Sequence, residues 1–221
     1  MPLQPYELKQ KQALPLEAKI IMSRKRIRDW YEHWQGMVYA SVSGGLDSTV
    51  MYHLIHTQYP DVPGIFVNTT MEFPEIVRFV HTLPNVTCLT TEKTPAQVFQ
   101  EYGYPVVSKE VSRSIYYARR GSRWALNRFD GQRPDGSPSP WYARRYMKWK
   151  HLLYADFAIS DMCCHEMKLR PLAKIEENRK PFIGTLAEES ERRRMAYLST
   201  GCNAYASRKP RSMPLGFWTR Q

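Results

Sequence analysis

From Gly36 to Gly103 the chain alternates three times between a short run suited to a strand and a longer run suited to a helix. That alternation admits few architectures. "GMVYASVS", "VPGIFVNTT" and "NVTCLTTE" are short, rich in apolar and β-branched residues, and bounded by Gly, Pro or polar residues. "DSTVMYHLIHTQY", "FPEIVRFVHTL" and "TPAQVFQEYG" follow them in turn. The first puts Val50, Met51, Leu54 and Ile55 on its buried side, the second has Pro74 where a first helical turn accepts it, and the third closes on Gly103. Helical crossovers between strands give a parallel sheet, so the segment predicts a doubly wound α/β fold with helices on both faces.

Between the first strand and the first helix lies "SVSGGLDST". Glycines there free backbone N–H groups beside a helix N-terminus, a combination that binds anions. Gly44 and Gly45 permit tight turning and close approach of phosphate oxygens, and Ser43, Ser48 and Thr49 add hydroxyls. Asp47 is out of keeping with phosphate unless it caps the helix or engages Mg²⁺. The spacing and lysine of the G-x-x-x-x-G-K-[ST] loop are missing, and the dinucleotide fingerprint is missing too. A glycine turn with a serine cap is the plainer alternative.

Outside this core the text changes. Residues 1–35 form a predicted N-terminal helical segment, helical from about Leu16, and residues 36–221 form a predicted α/β domain with a basic helical insertion at about 111–150. From Arg113 to Lys150 there are ten Lys or Arg against two Asp, with Tyr116, Tyr117, Trp124, Trp141, Tyr142, Tyr146 and Trp149 interleaved. Two basic helices joined by "DGQRPDGSPSP" are expected. They either bind DNA or RNA by phosphate pairing and base stacking or bury their aromatics and face water with their charges. The net charge of +11 fits polyanion binding or a solvated basic surface. No stretch reaches the roughly 18 uninterrupted apolar residues of a membrane span, and the N-terminus has no signal-peptide core, so no membrane partner and a cytoplasmic location are expected. The four cysteines, Cys88, Cys163, Cys164 and Cys202, are too few and too irregular for a secreted disulfide scaffold, and such a cluster more often signals metal or redox chemistry.

The S-G-G-x-D-S run resembles the PP-loop of the ATP pyrophosphatases with an adenine nucleotide α-hydrolase-like fold, which cleave ATP between the α and β phosphates. "FVNTTMEFPE", "CCHEMKLRPL" and "IGTLAEESERRR" are similar to segments of the phosphoadenosine phosphosulfate (PAPS) reductase-like family, over roughly residues 36 to 218. The resemblance implies an enzyme using ATP and Mg²⁺, held by Ser41, Ser43, Gly44, Gly45, Asp47 and Ser48, with Asn68, Thr69 and Glu72 at the carboxyl end of the sheet. Gly184, Glu189, Ser190 and Arg193 would contact nucleotide as well. Asp47, Ser48, Cys163 and Cys164 are the candidate catalytic residues, and Cys163, Cys164 and Cys202 the candidate ligands of a [4Fe-4S] cluster whose fourth cysteine is missing.

Two departures matter. The family's arginine after Gly184 is absent, with Thr185 and Leu186 in its stretch, and the loop is fuller than in PAPS reductases, which do not cleave pyrophosphate. The combination resembles the PP-loop proteins of DNA phosphorothioation. It implies adenylation of a substrate in sulfur transfer, with sulfonucleotide reduction and a non-catalytic nucleotide- or nucleic-acid-binding subunit as alternatives. A homo-oligomer or a partner subunit is expected, and the ending "SMPLGFWTRQ" suggests a chain cut short relative to its relatives.

Overall fold

The computed structural model describes residues 2–220. Its contacts divide the chain into two compact units, one of Met1–Asn68, Glu72–Thr90 and Leu172–Gln221, the other of Thr69–Met71 and Thr91–Pro171.

The first unit opens with α1 (Pro5–Gln12) and α2 (Leu16–His33), then runs β1 (Val38–Val42), α3 (Leu46–His56), β2 (Gly64–Asn68), α4 (Pro74–Thr82) and β3 (Val86–Thr90). The second unit holds α5 (Pro95–Tyr102), α6 (Lys109–Ala118), α7 (Arg123–Phe129) and α8 (Pro140–Tyr146). After α9 (Arg170–Asn178) the first unit resumes with β4 (Lys180–Ile183), α10 (Glu191–Thr200), β5 (Asn203–Ala204) and β6 (Arg211–Ser212).

The six strands form one sheet in the order β3-β2-β1-β4-β6-β5. All neighbours are parallel except β5 and β6, as the alternation of strand and helix requires. β1 is central, its Ala40 level with Gly64 of β2 and Phe182 of β4. Val38, Ala40, Val42, Phe66 and Phe182 are buried with Met51, Leu54 and Ile55 of α3. Ile27 and Trp30 of α2 are fully buried in the same cluster, so the expected separate N-terminal segment is instead integral to the sheet's core. Alternation could not reveal this, because α2 packs on the sheet from outside the repeating pattern.

Two glycines let α3 begin where it does. Gly44 takes φ +73°, and a Cβ there would lie 2.5 Å from Ile76 of α4. A Cβ on Gly184, just past β4, would lie 2.8 Å from both the N and the Cα of Ser48.

The second unit has its own core of Val111, Ile115, Phe129, Tyr146 and Ile159. It spans 91–171, wider than the expected insertion at 111–150. The two expected basic helices are three plus a tight tail: the first breaks between Ala118 and Arg123, and the second passes into a 3₁₀ stretch at Met147–Tyr154.

The close approach at Gly184 makes a direct prediction. Gly184→Ala should lower the unfolding free energy by about 2 kcal/mol, because its neighbours, Ser48 N and Cα and the Asp47 carbonyl carbon, are backbone atoms that cannot rotate aside. Gly45→Ala, whose Cβ would meet only Ser43 Oγ at 3.5 Å, should stay within about 0.5 kcal/mol. Urea denaturation of both variants checks the contrast, and equal stabilities would refute it.

Candidate nucleotide site

In a parallel sheet the carboxyl ends of β1, β2 and β4 lie along one edge, and the glycine loop leaves β1 at that edge. Within the loop the hydroxyls form a closed circuit. Gly45 N–H donates to Ser43 Oγ (3.4 Å), Ser43 Oγ lies 3.0 Å from Ser48 Oγ, and Ser48 Oγ donates to the Gly45 carbonyl (2.9 Å). Because the Ser48 proton goes to that carbonyl, the Ser43 hydroxyl is the donor between the two serines. Ser43 N–H also donates to Ser48 Oγ at 3.2 Å. Ser48 is buried and shapes the loop, whereas Ser43 and Gly45 are exposed at its rim. The N–H groups opening α3 have no acceptor in the preceding turn and carry the positive end of the helix dipole. Such a loop can hold a phosphate or a sulfate.

Asp47 accepts a hydrogen bond from Arg220 Nη2 at 3.0 Å, and the Arg220 backbone N–H donates to Glu188 Oε1 at 2.8 Å. The acid that sat oddly in the loop is thus neutralised from the far end of the chain. No local sequence signal could have named Arg220, since the pairing spans 173 positions.

Ser41 lies in β1, level with Ile65 and Ile183. Asn68 ends β2 opposite Thr90, Thr69 is buried and Glu72 half-buried. The expected contact residues after β4 have local work of their own. Gly184 makes room for Ser48, Glu189 Oε1 accepts from Leu186 N–H at 2.8 Å and pairs with Arg193, and Ser190 caps α10 by accepting from Arg193 N–H.

The cysteines fall in different units. Cys202 is buried in a cluster with Leu8, Tyr197, Leu198 and Phe217. Burial pushes its thiol up to about 11, against the lowering effects of Arg26 and the hydrogen bond with Tyr197. Cys163 and Cys164 are half-buried in the second unit, where they lead into a π-helical turn at His165–Leu169. Burial raises the Cys163 thiol as well. Beside them, Glu166 accepts from Arg170 Nη1 (2.9 Å) and pairs with His165 Nδ1 (2.8 Å). Burial pushes the Glu166 carboxyl up, but these bonds and charges outweigh it and hold the group below its ordinary value. Among the described residues no group of three or more His, Cys, Asp or Glu is arranged to hold a metal ion. Of the expected cluster ligands, Cys163 and Cys164 thus belong to the second unit and Cys202 to the apolar packing of the first.

In the basic segment, half of the ten cations serve the framework. Arg119 caps the carbonyls of Leu152, Ala155 and Phe157, Arg128 bonds Ser114 and Tyr146, and Arg113, Arg145 and Lys150 pair with Asp161, Glu110 and Asp130. Arg120, Arg123, Arg144 and Lys148 have no carboxylate partner among the described residues, and Tyr117, Trp124 and Trp141 are exposed. Tyr146 is instead fully buried. No helix among the described residues is long and apolar enough to cross a membrane.

Thiol accessibility follows from this geometry. Iodoacetamide at pH 8 should label Cys163 and Cys164 in the folded protein and spare Cys202 until denaturant is added. Peptide mass analysis reads this, and rapid native labelling of Cys202 would contradict its burial.

Residues 37–108 match the family model of the phosphoadenosine phosphosulfate reductase domain. The chain is 29% identical over 93 residues to a phosphoadenosine 5'-phosphosulfate reductase of Photorhabdus laumondii, covering 40% of this chain and 38% of the relative. It is 31% identical over 93 residues to the enzyme of the same name from Proteus mirabilis, covering 42% and 33%. The alignments thus span little more than a third of these relatives' length. A phosphoadenylyl-sulfate (PAPS) reductase structure from Candida auris, in complex with phosphate, superposes with a TM-score of 0.48 at 13% identity, covering 100% of this chain and 83% of that one. Over residues 37–108 the chain is thus similar to the phosphoadenosine phosphosulfate reductase domain, and both curated relatives carry that enzyme's name.

Proposed function

We propose that the chain is an enzyme of the PAPS reductase kind, acting on an adenosine sulfonucleotide held by the loop at residues 43–48. The match over residues 37–108 carries this reading, because that segment contains β1, the whole loop, α3, β2 and the residues at the β2 carboxyl end. The loop offers backbone N–H groups at the start of α3 to the anionic end of the nucleotide. Its hydroxyl circuit keeps Ser43 and Gly45 preorganised, so little rearrangement accompanies binding. Cys88, Cys163 and Cys164 are the thiols not fully buried, and sulfur chemistry would draw on these and not on Cys202.

A second reading is ATP cleavage between the α and β phosphates, with adenylation of a substrate. The complete S-G-G-x-D-S loop favours it. In that case Mg²⁺ would screen the phosphates, with Asp47 its candidate ligand once Arg220 releases the carboxylate.

Calorimetry with PAPS, adenylylsulfate and Mg·ATP, paired with assays of sulfite and pyrophosphate, separates the two. A sulfonucleotide should bind tightest and yield sulfite in the presence of a dithiol. Gly45→Ala should weaken binding about tenfold, or about 1.4 kcal/mol, by blocking close approach of the anion. Pyrophosphate released from ATP without sulfite would establish the second reading, and no nucleotide binding would overturn both.

A further inference from the structure

The loop carries an acid, and what lies against that acid decides which form of an anion the loop accepts. Asp47 stands in the first turn of α3, and its side chain is only 16% exposed. Arg220 Nη2 lies 3.0 Å from Asp47 Oδ2. Both residues line a cavity of about 350 Å³ together with Lys19, and Glu188 adjoins them by accepting the Arg220 backbone N–H. Two cations are thus matched by two carboxylates, and the charges balance only while Arg220 is in place.

Packing places Arg220 there. Ser23 is fully buried, accepts a hydrogen bond from Trp218 Nε1 and donates one to the Pro214 carbonyl, each at 2.9 Å. The Ala187 N–H donates to the Gly216 carbonyl and the Trp218 N–H to the Leu215 carbonyl, again at 2.9 Å. Leu215 is buried in the core of the sheet, and Trp218 packs against that core. The backbone is therefore fixed two residues before Arg220 and again at Arg220 by Glu188. An exposed ion pair loses much of its worth to the entropy of holding two side chains in one geometry. Here the carboxylate is short and largely covered and the arginine's backbone is held, so that loss is reduced.

Mg²⁺ dehydrates reluctantly and is usually held at nucleotide sites by one or two carboxylates together with the phosphates. Asp47 is the carboxylate within the loop, and a guanidinium already lies against it. A dication on the same carboxylate would meet the positive charge of Arg220 at close range. We infer that Arg220 takes the place of a divalent cation at this loop, so that the loop receives a metal-free anion and not its Mg²⁺ complex. The inference rests on the sulfonucleotide reading of the loop. It adds Arg220 as the residue that, acting through Asp47, selects a metal-free sulfonucleotide over Mg·ATP. Without the guanidinium, Asp47 and Glu188 would outnumber Lys19, which weakens a metal-free anion and favours one that brings a dication with it.

Calorimetric titration of inorganic pyrophosphate, in EDTA and in excess Mg²⁺, tests this on the folded protein. Magnesium complexes pyrophosphate in solution equally for every variant, so the variants are compared by the ratio of the two affinities. In the wild type, Mg²⁺ should not strengthen binding. Arg220→Met should bind metal-free pyrophosphate about tenfold more weakly and gain about fivefold or more when Mg²⁺ is added. Arg220→Lys, which keeps the charge, should stay within about threefold of the wild type in both conditions. Asp47→Asn combined with Arg220→Met should abolish the Mg²⁺ gain and restore most of the metal-free affinity, a rescue that a merely structural role for Arg220 does not produce. Circular dichroism and melting curves confirm that each variant is folded. The same Mg²⁺ ratio in the wild type and in folded Arg220→Met, or a gain that survives Asp47→Asn, would overturn the inference and leave the loop's anion site standing. Wild-type protein that binds pyrophosphate in neither condition would overturn both.

Discussion

The start of α3 rests on the end of β4 only because Gly184 has no side chain, and the candidate site is arranged around that contact. With the Ser48 backbone held against the sheet edge, Ser48 Oγ can complete the hydroxyl circuit that fixes Ser43 and Gly45. A larger residue would push the helix N-terminus away from the strand ends, and with it the N–H groups that attract anions. The residue at 184 thus acts on the loop through shape, although it can form no side-chain hydrogen bond itself.

Charge is organised with the same economy. A carboxylate at a helix N-terminus is favourable for the helix dipole yet unfavourable for phosphate. Asp47 meets the first demand by position, and Arg220 relieves the second by pairing with it. In the second unit, Glu110 links Arg145 and Arg128 above the buried Tyr146. Burial pushes the Glu110 carboxyl up, while Tyr146 and the two arginines more than offset it. Much of the positive charge there holds helices together, and a smaller set of cations faces outward.

Much of the sheet was legible in the sequence because its signal is local. Each of β1 to β3 is a short apolar run closed by turn residues, and each is followed by a helix whose start carries Pro74, Pro95 or the glycine pair. The short strands β5 and β6 left no such signal, having two residues each. The membership of α2 in the core was equally hidden, since Ile27 and Trp30 show a buried face without showing what buries it. The loop's place between β1 and α3 could be read from the sequence, and its likeness to a phosphate-holding loop came from a resemblance, but its hydroxyl circuit could not be read. The burial of Cys202 could not be read from the sequence, because its place beside Tyr197 depends on the packing of α1, α10 and Phe217. Lys19 and Arg220 were invisible as partners of one cavity for the same reason: they are brought together by the fold and not by spacing.

In the proposed function the backbone from Gly44 to Ser48 grips an anion. Amide nitrogen–proton NMR spectra of the labelled protein, recorded while inorganic pyrophosphate is added, test it without presuming a substrate. The account predicts that the largest shifts fall on the amides of Gly44, Gly45, Leu46, Asp47 and Ser48, and saturate together. Shifts confined to the basic stretch around Arg120, Arg123 and Arg144, with the loop amides unmoved, would contradict it.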